Sequence, residues 1–199
     1  AFRRWYASRR FGFDSRAPLQ VIDELEGAAR ELEAAEPALG VALEAEDAFE
    51  AQRLSGLLRP QERIAALGQR AGDALAAMAP LQPDSPDRAA ALQGLQWSAQ
   101  RLRMLSRRLG AADRVRELYR AAFAAAASPK AVSERLIKAA DLLESEAHGL
   151  DEHRAEWHAL WRRERHEPYD PATEALFRSH VEALRARATR LRQLRDLYI

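Results

Sequence analysis

Between Pro129 and Pro168 the chain contains no proline, and Gly149 is its only glycine. Across that stretch Val132, Leu136, Ala139, Leu143, Leu150, Trp157 and Trp161 recur in helical phase. The phase holds through Gly149, so the spacing predicts one helix over about 130–166. At 1.5 Å per residue such a helix is roughly 54 Å long. It carries a single apolar stripe, which needs other helices laid along it at shallow crossing angles.

The rest of the sequence supplies them. Leu92, Leu95, Ala99, Leu102 and Leu109 recur at near-heptad spacing, and Val115, Leu118, Ala122 and Phe123 follow "GAAD". Gly110 leaves open whether these are one helix or two. The segment "ASPK" at 127–130 reads as a turn capped by Ser128. A last helix puts Phe177, Val181, Leu184, Ala188, Leu191, Leu194 and Tyr198 on one face, with Asp170 as its cap before Pro171. Short connections make neighbouring long helices antiparallel.

Shorter helices are expected before these. One opens near Pro18 with Leu19, Ile22, Leu25, Ala29 and Leu32 on a face, and Pro37 and Gly40 end it. A second spans about Val41 to Leu58, and a third begins at Pro60 and carries Ile64, Leu67, Ala71, Leu75 and Met78. "PLQPDSPD" at 80–87 is the clearest linker, with Asp84 or Ser85 as the next cap and Pro86 in the first helical position. Residues 2–10 read as the end of a helix that Gly12 stops. No capping residue precedes Phe2, which predicts that the segment continues a longer chain.

The expected fold class is all-α, a bundle of about six helices, three of them long and antiparallel. Composition agrees. Charged residues make up 31% and aromatics only 7%, while β-branched residues are sparse, so a large sheet is not expected. There is no cysteine, which removes disulfides, thiolate metal sites and a cysteine nucleophile without fixing a compartment. Net charge is +1, so no global field attracts nucleic acid or an anionic membrane. The longest apolar run, "AAFAAAA" at 121–127, is too short to span a bilayer.

Candidate chemistry is thin. The five histidines, His148, His153, His158, His166 and His180, all lie in the second half. The first three are five residues apart, which turns neighbours about 140° from one another on a helix. Two ligands on one helix need spacings of three or four, so no metal is expected and the histidines read as solvated. Asp151 and Glu152 point about 100° apart and make a poor acid/base pair. No phosphate-binding glycine loop or nucleophile elbow occurs, so no catalytic or cofactor-binding residue is assigned.

The last helix carries Arg178, Arg185 and Arg192 at intervals of seven, with Arg187, Arg190 and Arg195 beside them. Glu182 and Asp196 interrupt this stripe, and no stacking aromatics interleave with it. Residues 23–50 are rich in Asp and Glu, so intramolecular or interdomain pairing is expected, not nucleic acid. Trp157 and Trp161 fall on the stripe of Leu136, Leu143 and Leu150, where packing is the default. Trp5, Tyr6, Phe11 and Phe13 form a second aromatic cluster at the start, suited to a seam with a preceding domain.

Two segments resemble a known family. In "FRRWYASRRFGFDS", Ala7, Phe11, Gly12 and Asp14 fill a pattern similar to the chain just after the catalytic barrel of some bacterial family-20 glycoside hydrolases, the β-N-acetylhexosaminidases. In "EHRAEWHALWRRERHEPYDPATEALFRSHVEAL", Leu160, Trp161, Arg163, Glu164 and Asp170 match the end of the same helical region. The turn differs, with Arg165-His166-Glu167-Pro168-Tyr169 where relatives often show Asn and then Pro-Gly-Gly.

The resemblance implies that 1–199 is a single all-α accessory domain. Residues 1–16 would be a seam from a preceding catalytic domain, 17–80 shorter helices, and 87–199 a long three-helix bundle. The parent enzyme would remove terminal β-linked N-acetylhexosamine through an Asp-Glu pair on a barrel of about 250 residues. No strand pattern of that kind occurs here, so no catalytic position carries over. Implied partners are the upstream barrel and a second copy of the chain. Trp5, Tyr6, Phe11, Phe13, Trp157 and Trp161 are the candidate interface residues. The alternative is a free-standing helical protein–protein interaction module.

Overall fold

A computed structural model of the chain describes residue 9 and residues 17–35, 61–124, 127–165 and 171–198. Among these residues there are five helices and no strand: α1 (Ala17–Ala35), α2 (Gln61–Met78), α3 (Pro86–Ala122), α4 (Pro129–Arg165) and α5 (Pro171–Asp196). The helix expected over 41–58 and the Asp170 cap lie outside the described residues.

Local chemistry sets the helix ends. Ser85 is extended, and its hydroxyl accepts a hydrogen bond from the Arg88 amide at 3.4 Å, with Pro86 in the first turn. Of the two candidate caps it is therefore Ser85 that serves; Asp84 instead binds the Arg88 guanidinium at 2.5 Å. The Ser128 hydroxyl accepts from the Ala131 amide at 3.3 Å at the start of α4. Gly110 does not interrupt α3, which runs unbroken for 37 residues, roughly 55 Å.

Each helix packs on the next, α1 on α2, α2 on α3, α3 on α4 and α4 on α5. One core joins α1, α2 and the first half of α3 through Val21, Ala74, Met78, Leu92 and Ala99. A second joins α4 and α5 through Leu143, Ala147, Leu150, Val181, Leu184 and Ala188, and Met104 and Val115 of α3 pack against it. A third gathers Ala122, Val132 and Leu136 under Leu191 and Leu194. The small residues at these contacts let backbones approach, and the leucines fill the gaps.

The stripe expected on the first helix is turned by one position. Val21 and Ala28 are buried, with Leu25 packed beside Val21, whereas Leu19 and Ile22 are only half-buried. Ion pairs fasten α4 to α5 at two levels. Arg154 binds Asp151 at 2.9 Å and Glu174 at 2.7 Å, and Arg192 binds Glu144 at 3.0 Å and Asp141 at 3.2 Å.

Two substitutions test this packing. Leu143 is 1% exposed at the centre of the α4–α5 core, so Leu143→Ala should lower unfolding free energy by about 2–5 kcal/mol. Gly110 is exposed in mid-helix, and a Cβ there meets nothing within 4 Å. Gly110→Ala should raise stability by about 0.5–1 kcal/mol. Urea denaturation of both variants measures both effects.

Candidate functional site

α3 and α5 both lie along α4, but their backbones scarcely approach each other. A cavity of about 160 Å³ opens between the three helices toward the α4–α5 junction. Its walls include Trp97, Arg101 and Arg108 from α3, His153 and Trp157 from α4, and Phe177 from α5. Arg101 and Arg108 are two turns apart on one face of α3, as His153 and Trp157 are one turn apart on α4.

The rings make a continuous set of contacts. Trp97 stacks on His153 with centroids 5.6 Å apart and planes 14° from parallel. Phe177 approaches His153 edge-on at 6.4 Å and Trp157 at 6.0 Å. The Arg101 guanidinium lies 5.8 Å from the Trp97 ring centroid, a cation–π distance. The Trp97 indole N–H is buried without a hydrogen-bond acceptor among the described residues.

Polar groups are buried in and behind this wall. Arg108, Glu146 and His153 are each no more than 6% exposed. Arg107 reaches across α4 to Glu146 at 3.0 Å, while Glu146 Oε2 has no hydrogen-bond partner among the described residues. Burial raises the Glu146 pKa above the usual carboxylate value, against the opposing pull of Arg107 and Arg108. Burial also pushes the His153 pKa down to about 4, and Arg101, Arg108 and Arg107 add to the shift. His153 is therefore a neutral imidazole near pH 7.

Gly149 makes the Arg107 reach geometrically available. An added Cβ at this position would run into the Arg107 guanidinium. This is a close approach of one helix's side chain over another's backbone, and it accounts for a glycine inside a long helix.

These placements bear on several sequence expectations. His153 is buried, not solvated, whereas His148 is exposed beside Glu152 at 3.2 Å. The α5 arginines do pair within the chain, as expected, through Glu174 for Arg178, Asp151 for Arg185, Asp141 and Glu144 for Arg192, and Asp196 for Arg195. Glu24, within the acidic stretch, pairs instead with Arg70 at 3.3 Å. Asp151 accepts from the Arg154 guanidinium at 2.9 Å. Among the described residues no cluster of three or more His, Asp or Glu could hold a metal, and no helix is long and apolar enough to cross a membrane.

Of the candidate interface residues, Trp157 is half-buried against Phe177. Trp5, Tyr6, Phe11, Phe13 and the side chain of Trp161 lie outside the described residues. Sequence spacing missed Trp97, Arg101, Arg108 and Glu146. The signal was present, because Glu146 and His153 are seven apart, in phase with Leu150 and Trp157. A second surface feature was also missed. Tyr119 and Phe123 are 46% and 42% exposed, their rings lie 4.9 Å apart, and the Tyr198 ring lies 6.0 Å from that of Phe123.

Comparison with known proteins finds no matching family model, curated protein or solved structure.

Two measurements probe the buried charges. The unfolded chain protonates His153 near pH 6.5 and the folded chain only near 4. Between these values unfolding takes up a proton, so the His153 contribution to stability rises with pH and is lost on acidification. The full difference is about 3 kcal/mol below pH 4. Glu146 acts oppositely, since its raised pKa makes its contribution fall as pH rises above 4.5. His153→Phe keeps a ring against Trp97 but removes the proton site. The difference in stability between native protein and variant should therefore shift in the variant's favour from pH 6.5 to 4, as read by urea denaturation. Separately, Gly149→Ala should change stability by less than about 1 kcal/mol, because the gain in helix propensity is offset by turning the half-exposed Arg107 guanidinium away from the new methyl group.

Proposed function

We propose that this chain is a non-catalytic helical domain of an exo-acting β-N-acetylhexosaminidase, lying C-terminal to the catalytic barrel, where it buttresses the barrel, mediates dimerisation, or does both. The observation that carries the reading is the behaviour of the segment with the family resemblance. Its two halves are tied to each other by Arg154 to Glu174 at 2.7 Å and by the contact of Trp157 with Phe177. A motif whose described residues make helix-to-helix contacts suits a structural role. The levels of the ion pairs, 154 with 174 and 144 with 192, support antiparallel α4 and α5.

The chemistry of the cavity supports the same reading. Its described walls hold cations, rings and aliphatic groups but no carboxylate pair to protonate a glycosidic oxygen and activate water. The exposed rings of Tyr119 and Phe123 offer apolar area for contact with the barrel or with a second copy.

The rival reading, a free-standing helical interaction module, draws on those same exposed rings. The length of the native polypeptide separates the two. An immunoblot of the source organism should show a chain longer than 199 residues by at least a barrel, about 250 residues. That polypeptide should cleave a chromogenic N-acetyl-β-glucosaminide, and the 199-residue segment should not. A native chain no longer than this segment would eliminate the hydrolase and leave the interaction module.

A further inference from the structure

The cavity between α3, α4 and α5 has the walls of a small-molecule site that the accessory role does not require. Its volume of about 160 Å³ is comparable to an apolar cavity known to hold benzene, about 150 Å³. Trp97, Trp157 and Phe177 give it flat aromatic walls, and Met104, Leu105 and Leu176 complete the apolar lining. Arg101 and Arg108 bring two guanidiniums to the same space, and no carboxylate is among its described wall residues.

The positive character extends beyond the cavity. Further along α4, Arg116 and Arg120 of α3 and Arg187 and Arg190 of α5 line a second depression with no carboxylate among its described residues, whereas Glu152 and Glu156 line the one that adjoins the cavity at Met104 and His153. The depressed pKa of His153 agrees, since the three nearby arginines contribute to it along with burial. The other titratable groups at the cavity are Glu146, salt-bridged to Arg107 behind the wall, His180 from α5, and Glu156, whose carboxylate is 4.0 Å from His153 Nδ1.

We propose that this cavity binds a small planar organic anion of the aryl carboxylate class, its ring between the aromatic walls and its carboxylate facing Arg101 and Arg108. Guanidinium groups match a carboxylate's planar, two-oxygen geometry, and the apolar walls accept the ring. The buried indole N–H of Trp97, which has no acceptor among the described residues, adds a neutral donor at the same wall. A phosphate or an extended sugar acid would place polar oxygens against rings and aliphatic groups that cannot satisfy them.

The test uses sodium benzoate as the probe, benzamide as its uncharged isostere, and the 199-residue chain at pH 7. Binding is followed by the Trp97 indole N–H resonance, assigned with Trp97→Phe, and by calorimetry. Benzoate should saturate with a Kd of about 1 mM, reasonable for so few heavy atoms, and benzamide should bind at least about tenfold more weakly. Arg101→Gln, at a half-buried position, should weaken benzoate about tenfold while leaving the circular dichroism spectrum and Tm near those of the native chain. Arg108→Met should do the same, and if it unfolds the chain the Arg101 variant alone decides the charge requirement. Equal affinity for benzoate and benzamide would overturn the anion assignment. No saturable shift up to about ten times the expected Kd, or benzoate affinity unchanged in Arg101→Gln, would overturn the site.

Discussion

The position of α4 between α3 and α5 governs the rest of the fold. A helix covered on two sides must bury two faces, and a single leucine stripe fills only one. The chain solves this with alanines. Ala139, Ala140 and Ala147 are fully buried alongside Leu136, Leu143 and Leu150. Alanine brings the neighbouring backbone close and loses no side-chain entropy on burial. The flanking helices then have their own tasks: α5 covers one face of α4, and α3 must serve α4 on one side and α2 on the other.

That double duty explains where the polar groups end up. Along α3, buried Leu105 and Leu109 flank buried Arg108, and on α4 Glu146 and His153 stand among buried Ala147 and Leu150. The α3–α4 seam is therefore closed partly by charge. A buried ion pair rarely adds much net stability, because desolvation offsets most of the attraction, but removing one partner is costly. Arg107 softens that cost by keeping its guanidinium about half exposed while meeting the buried Glu146 carboxylate. Truncating Arg107 would leave Glu146 buried without that partner, the costly case for a buried charge.

The long helices were legible because their signal is redundant. Many apolar positions agree on the phase of α4, so a single glycine could not overturn it, and its expected span of about 130–166 differs from Pro129–Arg165 by one residue at each end. The Ser128 and Ser85 caps were legible for the same local reason, a short polar side chain just before a proline and a periodic run. The first helix was misphased because Leu19 and Ile22 compete with Val21 for the buried face. Only the position of α2 selects among them, and that is tertiary information.

The cavity was illegible for a different reason. A spacing of five sets the histidines of α4 on different faces, so their mutual pattern is silent about a site. His153 instead falls in phase with the apolar stripe, where Leu150, His153 and Trp157 are spaced by three and four. Trp97 and Arg101 stand one turn apart on α3, but nothing within α3 says that His153 will lie beneath them. Ring stacking across helices depends on the register of α3 against α4, the seam that Arg107 crosses to Glu146. A charged residue in phase with a leucine stripe is therefore a useful pointer in helical chains. It marks where two helices meet through something other than hydrocarbon, and here the same stretch of seam borders the cavity.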